Sequence, residues 1–207
     1  MPFTGVRVWL DFVTEAEETA LVAQMDAWPW TDSQSGRRKQ DFGPKANFKK
    51  KKVKAANFTG LPALARPLIP RLQALTADLK DFVPVEQCHL DYEPSRGAAI
   101  VPHFDDFWLW GERLITLNLL STTFLCFQLP DEPDALEIAV PLPPRSLLEV
   151  KGVARMAWHH AVHRQDVSQR RIAMTWRELT PEFLSGERQA EGHALLDLAA
   201  TYTGLPM

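Results

Sequence analysis

Three side chains in this sequence could share one metal ion. His103 and Asp105 stand two apart in Pro102-His103-Phe104-Asp105-Asp106, and His160 follows much later in Trp158-His159-His160-Ala161-Val162. Two imidazoles and one carboxylate can occupy one face of an Fe(II) ion, leaving its other positions for a chelating co-substrate and O2. If the first stretch is a strand, His103 and Asp105 leave it on the same side. A strand over Met156–Val162 would place Met156, Trp158, His160 and Val162 on one face and turn His159 and His163 to the other. A histidine buried among such neighbours must be satisfied. The alternative to a metal is a core histidine bonded to a backbone carbonyl, and His103 and Asp105 in the same chain favour the metal.

The run Arg171-Ile172-Ala173-Met174-Thr175-Trp176-Arg177 supplies the next pieces. As a strand it places Arg171, Ala173, Thr175 and Arg177 on one face. A buried arginine needs an anion, and its planar guanidinium suits a bidentate grip on a carboxylate. 2-Oxoglutarate would chelate the metal through one carboxylate and present the other to Arg171, with Arg177 nearer the metal end. The plain alternative is arginines paired with acids. The expected chemistry is Fe(II)- and 2-oxoglutarate-dependent oxygenation. The co-substrate is oxidatively decarboxylated to succinate, and a nearby C–H bond is hydroxylated; on an N-methyl group the product loses formaldehyde.

These residues need a scaffold. Val6, Val8, Leu10 and Phe12 alternate with polar or exposed positions, as in a half-buried strand. Thr14 and Glu17 have capping-box spacing, opening a helix with Leu21, Val22, Met25 and Trp28 inward that Pro29 ends. Leu64, Leu68, Leu72, Leu75 and Leu79 predict a second amphipathic helix. Short strands are predicted at Gln87–Tyr92, Ala98–Phe104, Arg113–Ser121, Thr123–Leu129, Leu136–Leu142, Leu147–Lys151, Met156–Val162 and Arg170–Leu179. Residues 186–204 predict a final helix. The sum is an α+β fold with a sandwich or barrel of strands and supporting N-terminal helices, in one domain over residues 1–207.

With 207 residues, 45% hydrophobic and 24% charged, the composition is that of an ordinary globular chain. No apolar run approaches the ~20 residues of a membrane span, and the start has no secretory pattern. Cys88 and Cys126 make no disulfide framework, so buried thiols and a cytoplasmic location are expected, as is a monomer. The net charge of −3 hides an asymmetry. Residues 36–54 hold two arginines, seven lysines and only Asp41 as an acid, a local +8 against −11 elsewhere. Such separation suits a polyanion or an acidic surface; a solvated loop with no partner is the alternative. Residues 31–60, with Gly36, Gly43, Pro44 and Gly60, read as a long irregular excursion, which is usually functional or disordered.

In their order along the chain, Leu90-Asp91-Tyr92-Glu93-Pro94, Pro102-His103-Phe104-Asp105-Asp106, His160-Ala161-Val162 and Arg171 through Arg177 resemble the AlkB family of dioxygenases. Ser35 through Lys45, Phe107 through Leu114 and Trp176-Arg177-Glu178-Leu179 are most similar to its fourth homologue subfamily. The likeness runs from about Val6 to Phe183. It implies a double-stranded β-helix (jelly-roll) core. It also implies iron at His103, Asp105 and His160, with 2-oxoglutarate contacts at Tyr92, Arg171 and Arg177 and a substrate lid over residues 31–60. Two positions depart from the repair members: Leu90 stands where they carry asparagine, and Phe107 where some carry an acid. Both departures argue against base-lesion repair.

Two substrate classes fit. For a methylated DNA or RNA, Arg37, Arg38, Lys39 and Lys45, with Lys49 to Lys52, would meet phosphates while Phe42 and Phe48 stack on bases. The two rings could instead anchor the loop to the core. For a methyl-lysine protein, Trp108 and Trp110 could meet a methylated ammonium through cation-π attraction, unless they are core. The resemblance implies demethylation in either class. A non-catalytic binding module on the same fold is the reading from outside enzymology.

Overall fold

The computed structural model describes residues 2–130 and 137–207. β1 (Val6–Trp9) leads into α1 (Glu15–Asp26). The start of α1 carries the expected capping box: the Thr14 hydroxyl accepts from the Glu17 amide at 3.2 Å, and the Glu17 carboxylate accepts from the Thr14 amide at 2.8 Å. Two of the donors that a helix start leaves open are thereby satisfied. Leu21 and Met25 are buried, while Val22 and Trp28 are half-buried.

Next come β2 (Thr31–Asp32), β3 (Arg38–Phe42), β4 (Lys45–Asn47) and β5 (Lys52–Lys54). The excursion predicted over residues 31–60 is therefore more regular than its composition suggests. β2 pairs with β3, and β4 pairs with β5. Within β3, Gln40 and Phe42 are buried and alternate with half-buried Lys39 and Asp41, a period-two pattern that the high lysine content hides. The single helix predicted through Leu64 and Leu79 is also corrected. A short α2 (Leu68–Gln73) stands between 3-10 turns at Ala63–Ala65 and Ala77–Leu79. Pro67 and Pro70 lack the N–H that a continuous ladder requires, yet Leu64, Leu68, Leu72 and Leu79 still reach the interior.

The strand-rich part runs β6 (Pro84–Tyr92), β7 (Ile100–His103), β8 (Trp110–Leu119), β9 (Thr123–Gln128), β10 (Ile138–Leu142) and β11 (Leu147–Val150). The predicted beginning of β10 at Leu136 lies outside the described residues. α3 (Gly152–Ala157), β12 (His159–Val162), β13 (Arg171–Leu179), α4 (Pro181–Leu184) and α5 (Gln189–Ala199) follow. The strand predicted from Met156 therefore starts late. α3 occupies its first residues, anchored where the Ala154 amide donates to the Thr4 carbonyl, and Met156 is exposed. The predicted C-terminal helix is shorter, because the Leu61 amide takes the Ala199 carbonyl and the chain turns away. Tyr202 lies beyond it.

One sheet has the order β1-β11-β8-β13-β6-β3-β2, a second β10-β9-β12-β7, and β4-β5 form a ribbon. By packing, the chain divides into two units, one of Met1–Gln40, His89–Asp105 and Arg113–Thr175, the other of Asp41–Cys88, Asp106–Glu112 and Trp176–Met207. The core of the first unit joins inward residues of both sheets: Tyr92, Leu114, Leu148, Val150 and Ala173 from one, Leu125, Phe127, Leu142 and Val162 from the other. Face-to-face packing of this kind is the jelly-roll solution to burying two apolar sheet faces. The core of the second unit gathers Val53, Phe58, Val85, Trp108, Trp110, Phe183 and Leu195. Among the described residues no helix is long and apolar enough to cross a membrane.

His89 on β6 is fully buried. Its Nδ1 lies 2.9 Å from Gln40 Oε1. Gln40 Nε2 is committed to the carbonyls of Met25, Trp28 and Pro29, so Oε1 accepts and Nδ1–H donates. Burial pushes the imidazole down to about 3 from 6.5. The unfolded chain therefore takes up this proton near neutrality and the folded one does not. The stabilisation is complete above about pH 6.5 and is lost as pH falls toward 3, by at most about 1.4 kcal/mol per unit. Urea midpoints at pH 7.5 and 4.5 should differ less in His89→Gln than in the parent chain; equal differences would remove His89 from the acid response.

Candidate active site

The register of the smaller sheet creates the site. His160 on β12 is the cross-strand partner of His103 on β7, which brings their ring centroids to 4.4 Å, as directly opposed residues require. On its other side His160 pairs with Phe127 of β9. His103 Nδ1 lies 2.9 Å from the Val101 carbonyl. A carbonyl only accepts, so Nδ1 carries the proton and Nε2 keeps its lone pair.

Asp105 lies two residues past the end of β7, so strand parity is not what aims it. The Arg155 guanidinium holds its backbone: Nη1 donates to the Asp105 carbonyl at 3.0 Å from a buried position on α3. The Asp105 Oδ2 then lies 3.7 Å from His160 Nε2. One donor atom from each of His103, Asp105 and His160 falls within 4.8 Å of the others. His159 turns to the opposite face, where its ring meets Phe104 edge-on at 4.3 Å.

Arg171 opens β13 almost wholly buried. Its Nε donates to Asn118 Oδ1 at 2.6 Å, and its guanidinium stacks 4.7 Å from the centre of the Tyr92 ring. Asn118 is fixed in turn, its Nδ2 donating to the carbonyls of Ser121, Leu142 and Pro143. The described partners of Arg171 are thus neutral, and its buried Nη1 has no hydrogen-bond partner. Burial lowers its affinity for the proton, as for any cation without a counter-ion. A carboxylate at Nη1 would remove the imbalance.

The remaining expected site residues are placed differently. Arg177 belongs to the second unit; its Nη1 donates to both oxygens of Glu86 at 2.9 and 2.8 Å, and its guanidinium lies over Trp110. Its charge is already met, as in the arginine–acid alternative. Arg38 is bound to the Asp91 carboxylate at 2.8 Å. Arg37 is buried, with Nε on the Gln34 carbonyl and its guanidinium 6.0 Å from the Tyr92 ring. Phe42 is fully buried and cannot stack on a base; it anchors β3. Trp108 is core, edge-on to Phe183 and covered by the Arg188 guanidinium at 4.9 Å, so that face is closed to a methylated ammonium. Lys39 is half-buried; Lys45, Lys49, Lys50, Lys51, Lys52 and Lys54 are exposed. Lys45, Lys52 and Lys54 help line a cavity of about 430 Å³ on the β4-β5 ribbon.

Two contributors escaped the sequence reading. Asn118 gave no signal, being one polar residue in an apolar strand. Arg155 did give one, as a lone cation between Val153-Ala154 and Met156-Ala157, a pattern that is costly unless the charge has a buried task.

The chain is 48% identical to the human "Alpha-ketoglutarate-dependent dioxygenase alkB homolog 4", over 100% of this chain and 78% of that protein. It is 39% identical to a "DNA N6-methyl adenine demethylase" of Caenorhabditis elegans, over 88% of this chain and 62% of that one. The solved structure of OsALKBH1 superposes with a TM-score of 0.64 at 11% identity, covering 86% of this chain and 98% of that one. A Pseudomonas putida prolyl-4-hydroxylase does so at 0.53 and 17% identity, covering 84% and 91%. These two likenesses show the jelly-roll fold. No protein-family model matches the chain.

Arg171→Ala should raise the 2-oxoglutarate concentration for half-maximal succinate formation about 10- to 100-fold, from removal of one charge-assisted hydrogen bond of about 1.5–3 kcal/mol. An unchanged requirement would transfer that role to another cation.

Proposed function

The chain belongs to the alkB homolog 4 group of α-ketoglutarate-dependent dioxygenases, and we propose that it removes N-methyl groups oxidatively from methylated bases in nucleic acid. The observation that carries the chemistry is the convergence of three donor atoms, from His103, Asp105 and His160, in one unit with a buried arginine whose partners are neutral. Two imidazoles and a carboxylate are the donor set of non-haem Fe(II) sites, so the residues fit iron, and these three would hold it. When bound, that ion supplies O2 activation, which turns 2-oxoglutarate into succinate and CO2 and hydroxylates a substrate C–H bond.

The protein's own residues do the positioning. The Val101 carbonyl holds His103 in the tautomer that leaves Nε2 as a donor. Arg155 fixes the Asp105 backbone and so limits where the carboxylate can swing. Arg171, braced by Asn118 and Tyr92, would receive the distal carboxylate of 2-oxoglutarate. The core packed around Tyr92, Phe127 and Trp158 supplies an apolar backing in the same unit. On an N-methyl substrate, the hydroxymethyl product breaks its C–N bond and releases formaldehyde.

The substrate class rests on two supports. A relative at 39% identity is named for DNA N6-methyl adenine. The six exposed lysines of the β4-β5 ribbon and its turn form a cationic surface suited to phosphates.

Formaldehyde and succinate release should be compared on N6-methyladenine DNA, methylated RNA and methyl-lysine peptides, with Fe(II), ascorbate and 2-oxoglutarate. Release is expected with nucleic acid; release with the peptides alone would overturn the substrate class. His160→Ala should abolish turnover with an unchanged circular dichroism spectrum, and turnover in that variant would sink the ligand assignment. Replacing Lys49 to Lys52 by alanine should weaken nucleic-acid binding and flatten its salt dependence by about 0.7–0.9 for each phosphate no longer neutralised; an unchanged slope would take phosphate binding away from the ribbon.

A further inference from the structure

A second set of metal-donor side chains lies in the first unit, apart from the His103–Asp105–His160 set. Cys126 on β9, Glu137 just before β10 and His163 just after β12 place one ligand atom each within 4.8 Å of one another. Beside this set of three, Asp166 has its Oδ2 3.7 Å from the Cys126 sulfur. We propose that Cys126, Glu137 and His163 form a second, structural site for a zinc-class divalent cation, with the adjacent Asp166 carboxylate turning in to complete it.

The frame is built before any ion arrives. Cys126 pairs in register with Ala139 of β10 and Ala161 of β12, so its Cα is fixed from both sides. His163 and Asp166 belong to one 3-10 turn, closed where the Asp166 amide donates to the His163 carbonyl. The Asp166 carbonyl is pinned in turn by the Thr123 hydroxyl at 2.9 Å. The Cys126 thiol is buried, while Glu137 and His163 are each about one-third exposed, which leaves a path for an ion to enter.

The chemistry of the donors selects the cation. Thiolate, imidazole and carboxylates are the ligands of tetrahedral Zn(II), whereas a hard ion such as Mg(II) or Ca(II) takes oxygen alone. His163 Nε2 and Glu137 Oε2 stand 2.6 Å apart, held by a hydrogen bond. Around a tetrahedral ion with bonds of about 2.1 Å the two would sit about 3.4 Å apart, so they need to part by less than one ångström. Burial, then the two carboxylates beside it, push the Cys126 thiol up to about 12. Two protons move as a dication binds: the S–H proton leaves to solvent as the sulfur–metal bond forms, and the proton His163 Nε2 shares with Glu137 is exchanged through solvent to Nδ1, which frees the Nε2 lone pair for the ion.

The placement suggests its purpose. β10 is an edge strand of the smaller sheet, and β12 carries His160. An ion bound here would tie β10, β9 and the turn after β12 together, holding β12 in register.

Sulfur makes the site testable on its own, because the His103–Asp105–His160 set has none. Chelator-stripped full chain would be titrated with Co(II) and read for a sulfur-to-cobalt charge-transfer band. The band is expected in the parent chain, in Cys88→Ser and in His160→Ala, and it should be lost in Cys126→Ser and His163→Gln. Tightly bound zinc should fall from two ions per chain to one in His163→Gln, a change at a partly exposed position that leaves the buried thiol in place. Zinc should also raise the melting temperature of His160→Ala and leave that of His160→Ala/His163→Gln unchanged. Absence of the band, or its survival in His163→Gln, would overturn the site and leave Glu137 and His163 as an ion pair.

Discussion

The Asp91 carboxylate is the interaction on which the first unit depends. It is fully buried and receives three arginines: Arg38 from β3, Arg96 from the turn after β6, and Arg170 from the residue before β13. Arg170 extends the network to Asp26 at the end of α1. Burial alone would raise the Asp91 pKa, but the hydrogen bonds from Arg170 and Arg38 outweigh it and hold the carboxyl below its usual range. One buried anion among three cations is stable only if all its lone pairs are met. The backbone joins in, since Arg96 also donates to the Asp91 and Gly36 carbonyls. Gly36 has φ of +70°, and a side chain there would meet the Arg96 carbonyl at 2.2 Å, so glycine is required for the approach.

Strand parity couples this network to the stacked Tyr92–Arg171 pair on the other face. Asp91 and Arg170 form one ion pair; the next residue of each, Tyr92 and Arg171, points the other way and forms the stacked pair in the core. The salt bridge on one face therefore sets the spacing of tyrosine and arginine on the other. A one-residue slip of either strand would turn its own two residues to the opposite faces and break both pairs. The His103–His160 pair is governed the same way in the second sheet, where antiparallel register makes cross-strand neighbours of residues far apart in sequence.

What was legible in the sequence followed from these constraints. Residue types and parity sufficed to expect His103 and His160 side by side and Arg171 buried, because a polar group on an apolar face has few permitted reasons to be there. The capping box and the jelly-roll strands were legible for the same local reasons. What was not legible depended on partners distant in sequence. Arg38 is claimed by Asp91, Arg177 by Glu86, and Trp108 by Arg188; nothing in their neighbourhoods announces it. Phe42 looks like a stacking ring within a basic loop until the strand pairing of β3 turns it inward. The second helix failed for a different reason, since leucine spacing outvoted Pro67 and Pro70 when the missing N–H groups should have decided.

The same sorting by partner corrects the charge argument. The +8 of residues 36–54 overstates what a polyanion would meet. Arg38 is neutralised internally and Arg37 is buried, while the exposed charge belongs to lysines of the β4-β5 ribbon and its turn. That division suits the two side chains. The guanidinium fork loses less freedom in a fixed, multidentate buried contact, whereas the ammonium is a strongly hydrated point charge that works from solvent. Partner type also separates the arginines from one another. Arg38, Arg96, Arg170 and Arg177 each meet a carboxylate of the chain. Arg171 is as deeply buried as any of them, yet meets an amide oxygen and an aromatic ring. A cation kept in the core with neutral partners is costly unless an anion meets it, and under the proposed function the distal carboxylate of the co-substrate would be that anion.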